Sequence, residues 1–177
     1  SYITTEGLKY ILGEKTQGSD ILTTEKEMVS RVFDFSGLTA EKIMVPVSAL
    51  TALPQTTTID EAVRVVAEKK YMRIPVYSDT VYNIVGILNY FDLLDMMLKQ
   101  REKPMGGPDK AMVADCMRTD VLYVPETKKA GPLLMDMQRK REHMAVVVDE
   151  YGGAVGIVTV EDIGEEIIGS IDEEYNK

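Results

Sequence analysis

Cysteine occurs once in this 177-residue chain, at Cys116, and histidine once, at His143. A lone cysteine excludes an internal disulfide framework and any cysteine-rich zinc site, and it fits a reducing compartment. A lone histidine removes most histidine-based catalytic and metal-binding designs. Long apolar runs are missing too: none reaches the roughly 18 residues a membrane helix needs, and no signal-peptide pattern opens the sequence. Positive charge is also scarce, 20 Lys and Arg against 29 Asp and Glu, for a net −9. That deficit is local. From Asp149 to Lys177 nine acids face one base, a net −8, so residues 1–148 carry only −1. A net-acidic chain is a poor non-specific binder of nucleic acid or anionic lipid. What remains is ordinary globular composition, 45% hydrophobic and 28% charged, enough for a real core. The expectation is a soluble intracellular piece.

An internal repeat organises the sequence. Residues 74–92 match 144–162 at an offset of 70, which lays Gly86 on Gly156, Ile87 on Ile157, Asn89 on Thr159 and Asp92 on Asp162. Pro54 faces Pro125 at an offset of 71, so one residue is gained or lost between. Each copy is too short for a large core of its own, and two copies packed together are expected.

The elements alternate within each copy. Ala49–Leu53 and Val121–Val124 are β-prone runs stopped by Pro54 and Pro125. Thr58 to Glu61 reads as a capping box before a helix with Ala62, Val63 and Val66 on one face. Its counterpart starts near Pro132 with Leu133, Leu134 and Met137 inward. Hairpins follow, Ile74–Tyr77 with Ile84–Asn89, and Met144–Asp149 with Ala154–Thr159, where Gly152 and Gly153 supply positive φ. A second helix closes each copy, Phe91–Lys99 and Val160–Ile168. Residues 1–43 stand outside the repeat, with helices expected at Glu6–Leu12 and Thr24–Phe35, and Lys99–Asp109 joins the copies. The predicted fold class is α+β: two βαββα units in pseudo-two-fold symmetry, sheets facing across a shared core, preceded by N-terminal helices. The division expected is a helical linker over 1–43, a first repeat over 44–103 and a second over 112–172.

A βαββα repeat ending in Gly-Ile-x-[Thr/Asn]-x-x-Asp resembles the CBS domain, and the tandem resembles a CBS pair, or Bateman module. Four motifs sharpen the likeness: Ile-Met-Val-Pro (43–46), Tyr-Met-Arg-Ile-Pro-Val-Tyr (71–77), Asn-Ile-Val-Gly-Ile-Leu (83–88) and Val-Val-Asp-Glu-Tyr-Gly-Gly-x-x-Gly-Ile-Val-Thr-x-Glu-Asp-Ile (147–163). Together they resemble the CorC/hemolysin-C (TlyC) and cyclin-M group over roughly residues 24 to 175. The resemblance implies a regulatory fragment on the cytoplasmic side of a membrane protein handling magnesium or another divalent cation. It also implies a membrane domain before the pair and, in many bacterial relatives, a CorC-type domain after it. Two positions depart from the pattern: Val47, where the group often has a base, and Asn89, where a ribose site prefers Thr or Ser.

Thr159 and Asp162 form the sharpest constellation. Opening a helix, they place a hydroxyl and a carboxylate beside free amide donors. A carboxylate grips the two hydroxyls of a ribose, while threonine and amides meet phosphate oxygens. The residues alone are equally served by a plain N-cap, stabilising by about 1 kcal/mol; the resemblance favours nucleotide contact. It further implies that Tyr71 covers an adenine face, that Arg73 reaches phosphate, and that Val45, Ile74, Pro75 and Ile157 line the base pocket. The bland alternative puts Tyr71 in the core and Arg73 in a surface ion pair. Asn89, Asp92 and His143, the last read as Arg73's counterpart, mark a second, degenerate site.

The acidic stretch from Glu161 to Glu174 offers carboxylates of the kind Mg²⁺ takes, one or two with waters or phosphates, but Glu165 and Glu166 on a helix, with Glu161, read as a solvated face. No metal site is assigned. The leading expectation is a sensor in which adenine nucleotide (ATP or AMP), with Mg²⁺ accompanying the nucleotide, binds between the copies and biases their arrangement. The alternative is a ligand-free dimerisation scaffold of the same membrane protein. Enzymatic activity is not expected, because no paired catalytic carboxylates, Cys/His pair or phosphate-cradling glycine loop is visible. A homodimer is expected through the apolar faces of Phe91–Leu98 and Ile163–Ile171.

Overall fold

Caps and prolines punctuate the chain at matching places in the two copies. The computed structural model describes residues 37–102 and 111–168, so the helices expected at Glu6–Leu12 and Thr24–Phe35 lie outside it. The order is α1 (Ala40–Ile43), β1 (Val45–Pro46), β2 (Leu53–Pro54), α2 (Ile59–Lys69), β3 (Arg73–Tyr77), β4 (Ile84–Asn89) and α3 (Tyr90–Arg101). There follow β5 (Leu122–Pro125), α4 (Ala130–Lys140), β6 (Met144–Val148), β7 (Ala154–Thr159) and α5 (Val160–Ile168). Short 3₁₀ turns cover Val47–Ala49 and Val113–Asp115. This is the α+β double βαββα repeat that the sequence predicts.

The chain divides into two compact units. One, residues 45–125 with 144–157, carries the sheets: β2-β3-β4, and β1-β7-β6-β5, whose β7 continues two residues beyond it. In the first sheet β2 runs parallel to β3, which pairs antiparallel with β4 through Ile74↔Leu88, Pro75↔Ile87 and Val76↔Gly86. In the second, β5 runs parallel to β6 from Leu122↔Ala145 to Pro125↔Val148. Strand alternation sends Ile74, Val76 and Leu88 into a core with Ile59, Ala62, Val66 and Leu93 of α2 and α3. Ile84 and Ile87 meet Met144, Val146, Ala154 and Ile157 in a second core, so the two sheets face each other across it as expected. The Tyr123 hydroxyl adds a tie, donating to the Ile84 carbonyl at 2.7 Å.

The other unit gathers α1, α4 and α5. Its buried residues include Ala40, Ala130, Leu133, Met137 and Ile163. Its α1 is held by backbone bonds, Ala40 N–H to the Lys128 carbonyl (2.7 Å) and Glu41 N–H to the Glu126 carbonyl (3.1 Å). Residues 38–43 therefore join the second copy's first helix and are not a free linker. A matching set serves the first copy: Val113 N–H donates to the Thr57 carbonyl (2.8 Å), and Ala114 N–H to the Gln55 carbonyl (3.0 Å). Each copy's opening turn thus docks on the other copy's first helix.

Several boundaries differ from expectation. Ala49–Leu53 is not one strand, because β1 pairs with β7 in one sheet and β2 with β3 in the other. The chain must cross between sheets there, and it does so through the 3₁₀ turn. Helix α4 starts at Ala130, two residues before Pro132, because the Leu38 carbonyl accepts the Ala130 N–H at 2.9 Å where no side chain caps. Helix α3 runs to Arg101 and so takes the first residues assigned to the Lys99–Asp109 linker. In the β6–β7 turn only Gly152 has positive φ, at 80°. Gly153 lies under the Asp149 carboxylate, which a Cβ there would meet at 3.4 Å, while Asp149 accepts from the Tyr151 and Gly153 N–H groups.

The extra residue of the first copy also has a definite place. Leu53↔Val76 and Pro54↔Tyr77 correspond to Val124↔Val147 and Pro125↔Val148, all at an offset of 71. The offset becomes 70 only at β4 and β7, so the additional residue lies in the first hairpin turn. His143 is therefore the counterpart of Met72, and Arg73 corresponds to Met144. The assignment of His143 to Arg73's position is corrected accordingly.

Candidate functional site

Both copies present the same junction, a buried strand running directly into a capped helix. In the second copy β7 ends at Thr159 and α5 begins at Val160. Asp162 N–H donates to Thr159 Oγ1 at 3.1 Å, and Thr159 N–H donates to Asp162 Oδ2 at 2.9 Å. This reciprocal capping box satisfies two otherwise orphaned donors. It leaves Asp162 Oδ1 without a partner among the described residues. Val160 N–H donates to the His143 carbonyl at 3.0 Å.

The first copy handles the same position differently. Asn89 is buried and caps α3 through Oδ1, which accepts the Phe91 N–H at 2.9 Å. Asp92 turns away from its helix end and takes Arg118 Nε at 2.7 Å, with Nη2 at 3.5 Å on its other oxygen. Arg118 escapes a search for local motifs. A signal did exist: Met117-Arg118 follows Cys116 much as Met44-Val45 follows Ile43. The backbone confirms the equivalence, since Val45 pairs with Ile157 and Arg118 with Ile87, the matching isoleucines of the repeat.

The remaining candidates fall on two elements. Val45 lies on β1, partly exposed, opposite the buried Ile157. Arg73, Ile74 and Pro75 form the start of β3, with Ile74 and Pro75 buried and Arg73 in register with Asn89. Arg73 makes no ion pair with any described residue. Tyr71 is 47% exposed and is not core. Its ring lines an open apolar groove of about 420 Å³ with Val63, Ala67, Met72, Tyr90 and Leu94. Glu161, Glu165 and Glu166 are exposed on α5, as a solvated face should be. Among the described residues, no group of three or more His, Cys, Asp or Glu is placed to hold a metal. The Cys116 thiol, half-buried, is pushed up to about 11 by burial first and then by the Asp92 and Asp115 carboxylates. It stays protonated at neutral pH and is a poor nucleophile.

Two βαββα copies, each ending a strand on a polar helix cap, define the class: a tandem pair of small α+β repeats of the Bateman type. The CBS-domain model matches residues 40–99 and 113–169. The UPF0053 protein YugS of Bacillus subtilis is 36% identical over 175 residues, 99% of this chain and 39% of that protein. The chain thus spans about two fifths of the length of that curated relative. The CBS domain of a bacterial CNNM/CorC family Mg²⁺ transporter superposes with a TM-score of 0.79 at 32% identity, covering 95% of this chain and 98% of that one. A structure of such a domain in complex with ATP gives 0.72 at 34% identity, covering 82% and 98%. The chain belongs to the CBS-domain family, as a tandem pair of the CNNM/CorC and UPF0053 kind. No helix among the described residues is long and apolar enough to cross a membrane.

Proposed function

We propose that this CBS pair is the regulatory module of a membrane transporter for magnesium or a related divalent cation, acting on its cytoplasmic side by binding adenine nucleotide. In this reading Asp162 holds the ribose hydroxyls, and Thr159 with the α5 amides meets phosphate. Tyr71 covers the adenine, Arg73 reaches the phosphates, and Val45, Ile74, Pro75 and Ile157 line the base pocket. The observation that carries it is the Thr159–Asp162 pair, with a carboxylate oxygen open among the described residues, in a chain 34% identical to a CBS domain whose structure is in complex with ATP. ATP brings Mg²⁺ with it, because phosphates beside Glu161, Glu165 and Glu166 repel that face unless a cation intervenes. The role is regulatory and not catalytic. Nucleotide acts by its differential affinity for two arrangements of the module, which it passes to a membrane domain. Two modules pair through the α3 face, where Phe91 and Leu98 are 63% and 51% exposed. Of the other expected face, Ile163–Ile171, Ile163 itself is buried in its own chain, and residues 169–171 lie outside the described residues.

Calorimetric titration tests the reading. Asp162→Ala should weaken ATP about ten- to a hundredfold, the effect of losing an ionised acceptor worth about 1.5–3 kcal/mol. Arg73→Ala should weaken ATP more than adenosine. Unchanged ATP affinity in Asp162→Ala would place the site elsewhere. The ligand-free scaffold reading draws on the capping box itself, which gives both Thr159 and Asp162 a structural task. It takes over if the wild type binds no adenine nucleotide.

A further inference from the structure

We infer that Arg118 closes the first copy's version of the nucleotide site, so that each chain takes one nucleotide and not two. The inference rests on the nucleotide reading above. The two junctions are equivalent in backbone, since Arg118 pairs with Ile87 as Val45 pairs with Ile157. They differ in what stands at that position. Where the second copy has an apolar Val45, the first has a guanidinium, and Asp92 has left its helix end to meet it. Both oxygens of Asp92 accept from Arg118, at 2.7 and 3.5 Å. Asn89 Oδ1 is committed to the Phe91 N–H at 2.9 Å. A ribose needs the carboxylate for its two hydroxyls, and a neutral hydroxyl competes poorly with a charge-assisted guanidinium contact.

The arginine is also anchored at its root. Arg118 and Ile87 exchange backbone hydrogen bonds of 2.9 Å in both directions. The approach is close enough that a Cβ on Gly86 would lie 3.1 Å from the Arg118 carbonyl and 2.5 Å from Met117 Sδ. The guanidinium therefore starts from a fixed point beside Asp92. Arg118 thus determines which of two like junctions stays open, and a valine there should make the first junction resemble the second.

The test counts adenosine molecules bound per chain by calorimetry. Adenosine lacks phosphate, so removing a positive charge does not confuse the result. Arg118→Val should bind one adenosine more than the wild type, and adding Asp92→Ala should abolish the gain. Arg118→Gln, which keeps most of the bulk and loses the charge, guards against a folding defect and should gain the same site. Val45→Arg should lose the adenosine that the wild type binds. Equal counts in the wild type and both Arg118 variants overturn the inference. A wild type that binds none while Arg118→Val binds one removes the Thr159–Asp162 reading and upholds the closure. A wild type and variants that each bind one do the reverse.

Discussion

Cys116 neighbours the Met117–Arg118 segment, and its chemistry reports on that environment. Burial holds its thiol proton to about pH 11, and the Asp92 and Asp115 carboxylates add to the effect. The sign follows directly: less thiolate at any ordinary pH. Iodoacetamide should modify Cys116 at pH 8 about a hundredfold more slowly than an unperturbed thiol, and the rate should still be climbing at pH 10. A rate that levels near pH 9 in the folded protein would contradict this, and urea should restore the ordinary profile. The same shift contributes stability that is complete below the ordinary thiol value and fades as pH rises toward 11. Asp136 shows the opposite case. Its bond to Lys128, at 2.9 Å and part-buried, holds its carboxyl below the usual range, with Arg139 also in contact.

Helices α2 and α4 end alike, and both ends are imperfect. Lys70 (φ 57°) and Arg141 (φ 55°) sit at the same place in each copy, in the left-handed region that glycine adopts without steric penalty. In α2 the Lys70 N–H still donates to the Val66 carbonyl at 2.8 Å, so the stop is well bonded although its residue is ill suited. Lys70→Gly and Arg141→Gly should each raise stability by about 1 kcal/mol, read as a higher urea midpoint with an unchanged slope. A loss of stability in both would show that their side chains hold something the backbone does not. The other end of α2 needs no help. Thr58 and Glu61 form a reciprocal box that is legible in the sequence, because it depends on residues three apart.

At the scale of the whole molecule, α3 leaves Phe91 and Leu98 exposed on one helix while Leu93 is buried beneath. A lone module gains nothing from that surface, and pairing of two modules would remove it from water. Light scattering should find a dimer at micromolar concentration, and Phe91→Glu with Leu98→Glu should give a folded monomer. A wild-type monomer at high micromolar concentration would end that proposal. Core changes should act quite differently. Leu133→Ala, at a side chain fully buried in the helical unit, should destabilise by about 2–5 kcal/mol, read by denaturant unfolding of that variant against the wild type.

The repeat, both hairpins, the first capping box and the polar strand–helix junctions were determined by the sequence itself. Each depends on residues a few positions apart, where apolar spacing, turn glycines and cap residues speak directly. The sequence reads the first junction as degenerate from Asn89 and His143, but the ion pair that occupies Asp92 was not legible in that way. Arg118 meets Asp92 across 26 residues, and nothing near either residue announces the other. Residues 38–43 bond to residues 126–130, again a contact without a local signature. The crossing between sheets at Val47–Ala49 and the extra residue in the first hairpin turn became visible only through strand register. Parallel pairing and long-range ion pairs are chosen by the packing of distant segments, after their loop-closure entropy has been met. Local propensity therefore decided which elements form, and tertiary packing decided which of two like junctions has both carboxylate oxygens taken by an arginine.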